Sequence, residues 1–241
     1  MPADTKRRPV AAAIAALILA AAATVVPSPA PAQDVIAPDL RAVPEGQGWK
    51  IHNRGVTLAE ADGRTVVEFD GRPGEGMALL EGLAFTNGVI ECDLLGRSAP
   101  VQGSFIGIAF GVRDAGTYEA VYFRPFNFRS EDASRRAHSV QYVSHPEWTW
   151  GRLRQEKPGL YEGPIEPPPD GDQWLRVRVV VERAKISVYL GDAAVPCLEA
   201  ERLGGPKTGS VALWTGNNSP GKFANLRISS SGPGLKEKEL P

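Results

Sequence analysis

The sequence predicts an all-β fold, a sandwich of two antiparallel sheets, and three observations carry that prediction. Runs of β-branched and aromatic residues recur along the chain. Clusters such as DGRPGEG, RDAG, PPPDGD, LGGPKTG and NNSPG separate them, and no run of helical period and length follows Gln33. Many strands joined by short polar turns favour antiparallel pairing over βαβ units, which need long crossovers.

The chain opens with a segment to be set apart from the fold. Lys6, Arg7 and Arg8 form a basic start, and an Ala-rich apolar run extends from Val10 to Val26. Ala30-Pro31-Ala32 then supplies the small residues that a signal peptidase reads. Residues 1–32 are expected to be a cleaved signal peptide, with export to the periplasm or the exterior and no stable membrane insertion afterwards. An uncleaved anchor is the competing expectation, because the run approaches the shortest spanning length. Pro9-Val10 gives Arg7-Arg8 little twin-arginine character, and no Cys stands at the cleavage site to carry a lipid. Loss of Lys6, Arg7, Arg8 and Asp4 takes the formal charge from −1 to −3, which gives nucleic acid no electrostatic footing as a partner.

Residues 33–229 suffice for one β domain with a proper core, and 230–241 form a polar, Gly/Pro-punctuated tail. Strands are predicted at 65–69, 88–95, 105–112, 118–124 and 139–143, then at 174–181, 185–190, 210–214 and 222–228. Alternation splits their faces: Ile90, Cys92 and Leu94 oppose Val89, Glu91 and Asp93, while Leu175, Val177 and Val179 oppose Trp174, Arg176 and Arg178. Segments 174–182 and 185–190 form a hairpin about Arg183-Ala184 with one buried face. The connection Ser144–Gln173 shows no period, and its length marks it as functional. Cys92 and Cys197 admit two readings, a bridge worth about 4–5 kcal/mol in the chain-entropy model or two buried thiols.

The order GVIECDLLG, SFIGIAFGV, YEAVYFRPF, WLRVRVVVERAKISVYLGD, GSVALWTG and GKFANLRI resembles a concanavalin A-like jelly roll of the lectin/glucanase and laminin-G-like kind. It is loosely similar to the 3-keto-disaccharide hydrolase-like family. The resemblance implies a jelly-roll sandwich that binds glycans on one sheet. It does not choose between lectins, binding modules and glycosidases.

The candidate site lies in 118–163, where aromatic rings alternate with Arg, Gln, His and Glu. Flat rings beside bidentate donors suit a polar ligand with apolar faces, such as a sugar. Tyr122 and Arg124 share a strand face, Gln141 is expected beside them, and Trp148, Trp150 and Arg152 are expected to stack on and donate to the ligand. These six are the predicted binding residues for a small carbohydrate or glycan. Against this stands a structural Arg124 and a Trp that merely pins the loop.

The enzyme alternative resembles the 3-keto-disaccharide hydrolases and would use Glu119, His145, Glu147 or Glu156 as general acid or base, with Arg124 polarising a keto oxygen. Gly107–Gly111 and Thr117–Val121 match that family's motifs only in part. An Arg after Phe110 and a Gln after Glu119 are both missing. Glu91 and Asp93 match two positions of the family 16 glycosidase strand motif, but Leu95 and Gly96 stand where the second Glu should fall, so no retaining pair is expected. A third reading is a protein-interaction module. The three histidines, His52, His138 and His145, show no ligand spacing, and no DxDxDG loop occurs. Neither a metal nor another cofactor is therefore expected.

Overall fold

The computed structural model describes residues 35–61 and 63–230. The predicted leader and almost all of the predicted tail lie outside them. The first sheet takes β1 (Val35–Ile36), β3 (Val56–Ala61), β4 (Arg64–Phe69), β6 (Gly88–Leu95), β11 (Leu175–Val181), β12 (Lys185–Leu190), β13 (Leu198–Glu201) and β15 (Gly221–Ser230). The second takes β2 (Trp49–His52), β5 (Gly76–Leu80), β7 (Ile106–Asp114), β8 (Thr117–Phe123), β9 (Val140–Ser144), β10 (Glu162–Gly163) and β14 (Ser210–Thr215). Their orders are β13-β12-β11-β6-β15-β4-β3, with β1 also on β15, and β10-β9-β8-β7-β14-β5-β2; every pairing is antiparallel. This is the two-sheet jelly-roll sandwich that the sequence predicts.

The predicted alternation holds in the first sheet. Leu175, Val177 and Val179 pair with Leu94, Cys92 and Ile90, and all six side chains enter the core. Val188 and Ile186 follow on β12 opposite Val179 and Val181, which completes the hairpin about Arg183-Ala184. The opposite, polar face carries Glu91 and Asp93. Asp93 accepts from Arg64 at 2.9 Å and from Asn225 at 2.7 Å, so it is a surface partner on the sheet remote from the site described below.

Strands of the second sheet are buried on both faces: every described residue of β9 and β14 is buried. One face meets the core through Ile108, Val121, Phe123 and Tyr142. The other lies beneath two segments that rise over it, one between β8 and β9 and one between β9 and β11. The first carries a short helix α1 (Ala133–Arg136), the second α2 (Trp150–Glu156) and then β10.

Helix α2 corrects the expectation of an aperiodic loop. Thr149 caps it by accepting from the Arg152 amide, and seven residues are too few to display a helical period in sequence. Six strands also escaped the sequence reading: β1, β2, β3, β5, β10 and β13. Cys92 and Cys197 are free thiols. Three strand spacings, about 14 Å, separate β6 from β13, beside which Cys197 lies. A disulfide needs Cα atoms closer than about 7 Å.

Candidate functional site

The outer face of the second sheet holds a cleft of about 430 Å³. Its floor follows from strand alternation. Tyr118, Ala120 and Tyr122 on β8 share a face with Gln141 and Val143 on β9, because Tyr122 pairs with Gln141 and Ala120 with Val143. On the other side Tyr122 faces Gly107, which pairs in turn with Trp214. A Cβ on Gly107 would fall 2.1 Å from the Val121 carbonyl oxygen, so this close strand approach requires glycine.

Four rings run along the cleft. Phe126 meets Phe105 edge-on at 5.4 Å, Phe105 meets Tyr122 at 6.3 Å, and Tyr122 lies 5.1 Å from Trp214. Edge-to-face and tilted contacts at these distances hold rings in fixed orientations. Trp150, 51 % exposed, forms part of the wall.

Arg124 ties the floor together. Its Nη2 donates to the Tyr122 hydroxyl at 2.8 Å and to Gln141 Oε1 at 2.5 Å, and its Nη1 donates to the His138 carbonyl at 2.8 Å. The guanidinium carbon lies 4.8 Å from the Tyr122 ring centre. Burial pushes the Tyr122 phenol up to about 12, so it stays protonated at neutral pH. Gln141 Nε2 is buried without a hydrogen-bond partner among the described residues.

Behind Arg124 sits Glu162, delivered by β10, whose side chain is only 4 % exposed. Arg154 holds it with two nitrogens, Nε at 3.0 Å and Nη2 at 2.9 Å, and Arg124 Nη1 stands 3.8 Å away. His138 Nδ1 lies 2.8 Å from Glu162 Oε2 but out of line for an N–H···O bond. Burial lowers the His138 imidazole by more than neighbouring Glu162 raises it, which favours the neutral ring.

The far end of the cleft differs. Tyr118 donates its hydroxyl to the Glu75 carboxylate, and the His145 ring stacks on Tyr118 at 4.8 Å with planes 10° apart. Burial lowers the His145 imidazole as well. Trp214 Nε1 is a further buried donor without a partner among the described residues.

The predicted residues therefore divide. Tyr122, Arg124, His145 and Trp150 line the cleft, and Gln141 supports its floor. Trp148 and Arg152 do not line it, and helix geometry explains the split. Trp150 and Arg154, four residues apart, face the cleft with the Arg154 guanidinium 5.1 Å from the indole centre. Arg152 instead bonds Glu156 at 2.8 Å, contacts Glu147 at 3.4 Å and covers the Trp148 ring at 4.2 Å. Glu147 and Glu156 are thus exposed partners of one arginine outside the cleft.

Glu119 lies on the opposite face of β8, fully buried. Arg202 grips its carboxylate with Nη2 at 2.8 Å and Nε at 3.1 Å, and the Tyr142 hydroxyl donates to it at 2.5 Å. This ion pair faces the sandwich interior, so the geometry corrects the expectation that Glu119 reaches a ligand. Phe105, Trp214, Glu75, Arg135 and His138 line the cleft without having been singled out as site residues. Phase along GSFIGIAFG and GSVALWTG carries a signal for Phe105 and Trp214, whereas nothing local in sequence marks the other three.

No protein-family model and no curated relative matches the chain. Solved structures do. The carbohydrate-binding module CBM66 from Bacillus subtilis is 15 % identical, with 76 % of this chain and 96 % of that one covered and a TM-score of 0.52. A Bacillus subtilis protein of unknown function with a galectin-like fold is 12 % identical, covering 79 % and 93 %, also at 0.52. The kappa-carrageenase from Pseudoalteromonas carrageenovora, in complex with an oligotetrasaccharide of kappa-carrageenan, is 13 % identical, covering 86 % and 98 %, again at 0.52. At these identities the likeness defines the fold alone, a two-sheet antiparallel jelly roll.

Proposed function

We propose that this is an exported carbohydrate-binding protein whose ligand lies in the cleft on the seven-stranded sheet. One observation carries the reading: a concave site floored by Tyr122 and Trp214, walled by Phe105 and Trp150, and set with fixed donors around Arg124. Apolar ring faces stack on the C–H faces of a sugar, while immobilised donors select its hydroxyls. Similar folds in proteins named for carbohydrate binding or solved with an oligosaccharide agree with the reading. Export rests on the basic start, the apolar run and the Ala30-Pro31-Ala32 exit.

The test is a thermal-shift screen against mono-, di- and oligosaccharides, each hit followed for product formation. A ligand that binds only the folded chain raises its melting temperature. No shift with any sugar at millimolar concentration rejects the proposal. A second reading, hydrolysis, draws on one feature, the neutral His138 imidazole in the cleft beside buried Glu162. It requires turnover that His138→Gln abolishes while binding persists.

A further inference from the structure

The two ends of the cleft present different chemistry to a ligand. At one end the only carboxylate among the described residues is Glu75, already engaged by the Tyr118 hydroxyl. At the other, Arg124, Arg135, Arg154 and His138 converge from β8's end, α1, α2 and the turn after α1.

Two acids near that basic end, Glu162 and Asp132, are committed elsewhere. Glu162 is buried and saturated by Arg154, so it offers the cleft almost no oxygen surface. Asp132 Oδ1 caps α1, accepting from the Ser134 amide at 2.8 Å and its hydroxyl at 2.7 Å. Its other oxygen stands 3.9 Å from Arg135 Nε, a loose pairing between half-exposed groups. Donors remain available. Arg154 spends Nε and Nη2 on Glu162, and its Nη1 makes no hydrogen bond among the described residues. The accessible charge at this end is therefore the positive charge of Arg135 and Arg154, set beside the neutral His138 ring and the Asn127 amide. A neutral hydroxyl does not need two arginines, whereas a carboxylate or sulfate gains a charge-assisted bond from each.

We infer that the sugar taken by this cleft is acidic, its carboxylate or sulfate ester seated between Arg135 and Arg154 while its ring lies over the aromatic floor. The inference rests on the proposed carbohydrate site. Three probes separate the two: oligogalacturonate, the same oligomer fully methyl-esterified, and a sulfated oligogalactan, each titrated calorimetrically into the chain.

The acidic probes should bind at least ten-fold more tightly than the methyl ester at low salt, and the ratio should shrink towards one at about 1 M salt. Arg135→Gln should narrow the ratio at least three-fold. Arg176→Gln, on the other sheet and paired with Asp192, should leave it unchanged. The stronger of the two acidic probes identifies the anion as carboxylate or sulfate. Equal affinity for the ester and the acids overturns this inference and leaves sugar binding intact. Binding by none of the three, with no sugar hit in the thermal screen, overturns both. An Arg176→Gln variant that narrows the ratio as much as Arg135→Gln places the acid preference outside the cleft and also overturns it.

Discussion

Replacing Trp150 by Ala tests the cleft wall with little risk to the fold. A tryptophan side chain carries up to about 250 Å² of surface. With Trp150 51 % exposed, about 120 Å² remains free to meet a ligand. A sugar ring stacked on one face covers about half of that. At about 25 cal/mol per Å², the lost contact is about 1.5 kcal/mol, a Kd about 12-fold weaker. The folded chain loses the contact with the Arg154 guanidinium, which Glu162 continues to hold, together with the packing of the buried half of the ring. Such an exposed cation–π contact is worth about 0.5–1 kcal/mol. Isothermal titration with the best oligosaccharide from the screen reads the first quantity, and a denaturant melt reads the second. An unchanged Kd in a folded variant would refute the stacking role of Trp150.

Other consequences follow from the same geometry. Arg124→Met strips the donor shared by Tyr122, Gln141 and the His138 carbonyl, and should cost about 2–4 kcal/mol in a urea melt as well as most of the sugar affinity. Glu119→Ala leaves Arg202 buried without its counter-charge and should destabilise the chain by about 3–5 kcal/mol. Its folded fraction should retain wild-type sugar affinity; a selective loss of binding would restore Glu119 to the site. Both His138 and His145 have imidazoles lowered by burial, so below about pH 6.5 the unfolded chain binds more protons than the folded one. Their contribution is complete above that value and is lost as pH falls through the lowered folded values. The urea midpoint should therefore drop between pH 7.5 and pH 5, and His145→Asn should flatten the drop. Titration of the unfolded, unreduced chain with a thiol reagent should find Cys92 and Cys197 both reactive; zero thiols would mean a bridge.

Period-two alternation made the first sheet legible. Its outer face is solvated, so Glu91, Asp93, Arg176 and Arg178 stand against Ile90, Cys92, Val177 and Val179 without ambiguity. In the second sheet both faces are covered and polarity no longer separates them, yet phase still places Tyr122 and Arg124 together. The same phase groups Glu119 with Val121 and Phe123 on the core side. Its partner Arg202 lies 83 residues away, and so the sequence offered no local reason to accept a buried carboxylate there. The sequence favours Trp148 and Arg152 over Arg154 because a helix of about two turns leaves no period to read. Glu75, Arg135 and His138 reach the cleft only through long-range chain folding. The missed strands β2, β3, β5 and β13 are short or mixed in character: VTLAEA and LEAE carry little β-branched or aromatic content beyond one Val and one Thr.

The central claim, that a sugar occupies this cleft, is tested most directly by the five indole N–H signals of the ¹⁵N-labelled chain during an oligosaccharide titration. Trp150 and Trp214 line the cleft, Trp148 packs under Arg152, Trp49 is buried in the core, and Trp174 sits beside Arg64 on the other sheet. Shifts confined to Trp150 and Trp214 are the predicted result. Movement of Trp148 or Trp174 while those two stay fixed would put the ligand elsewhere and contradict the account.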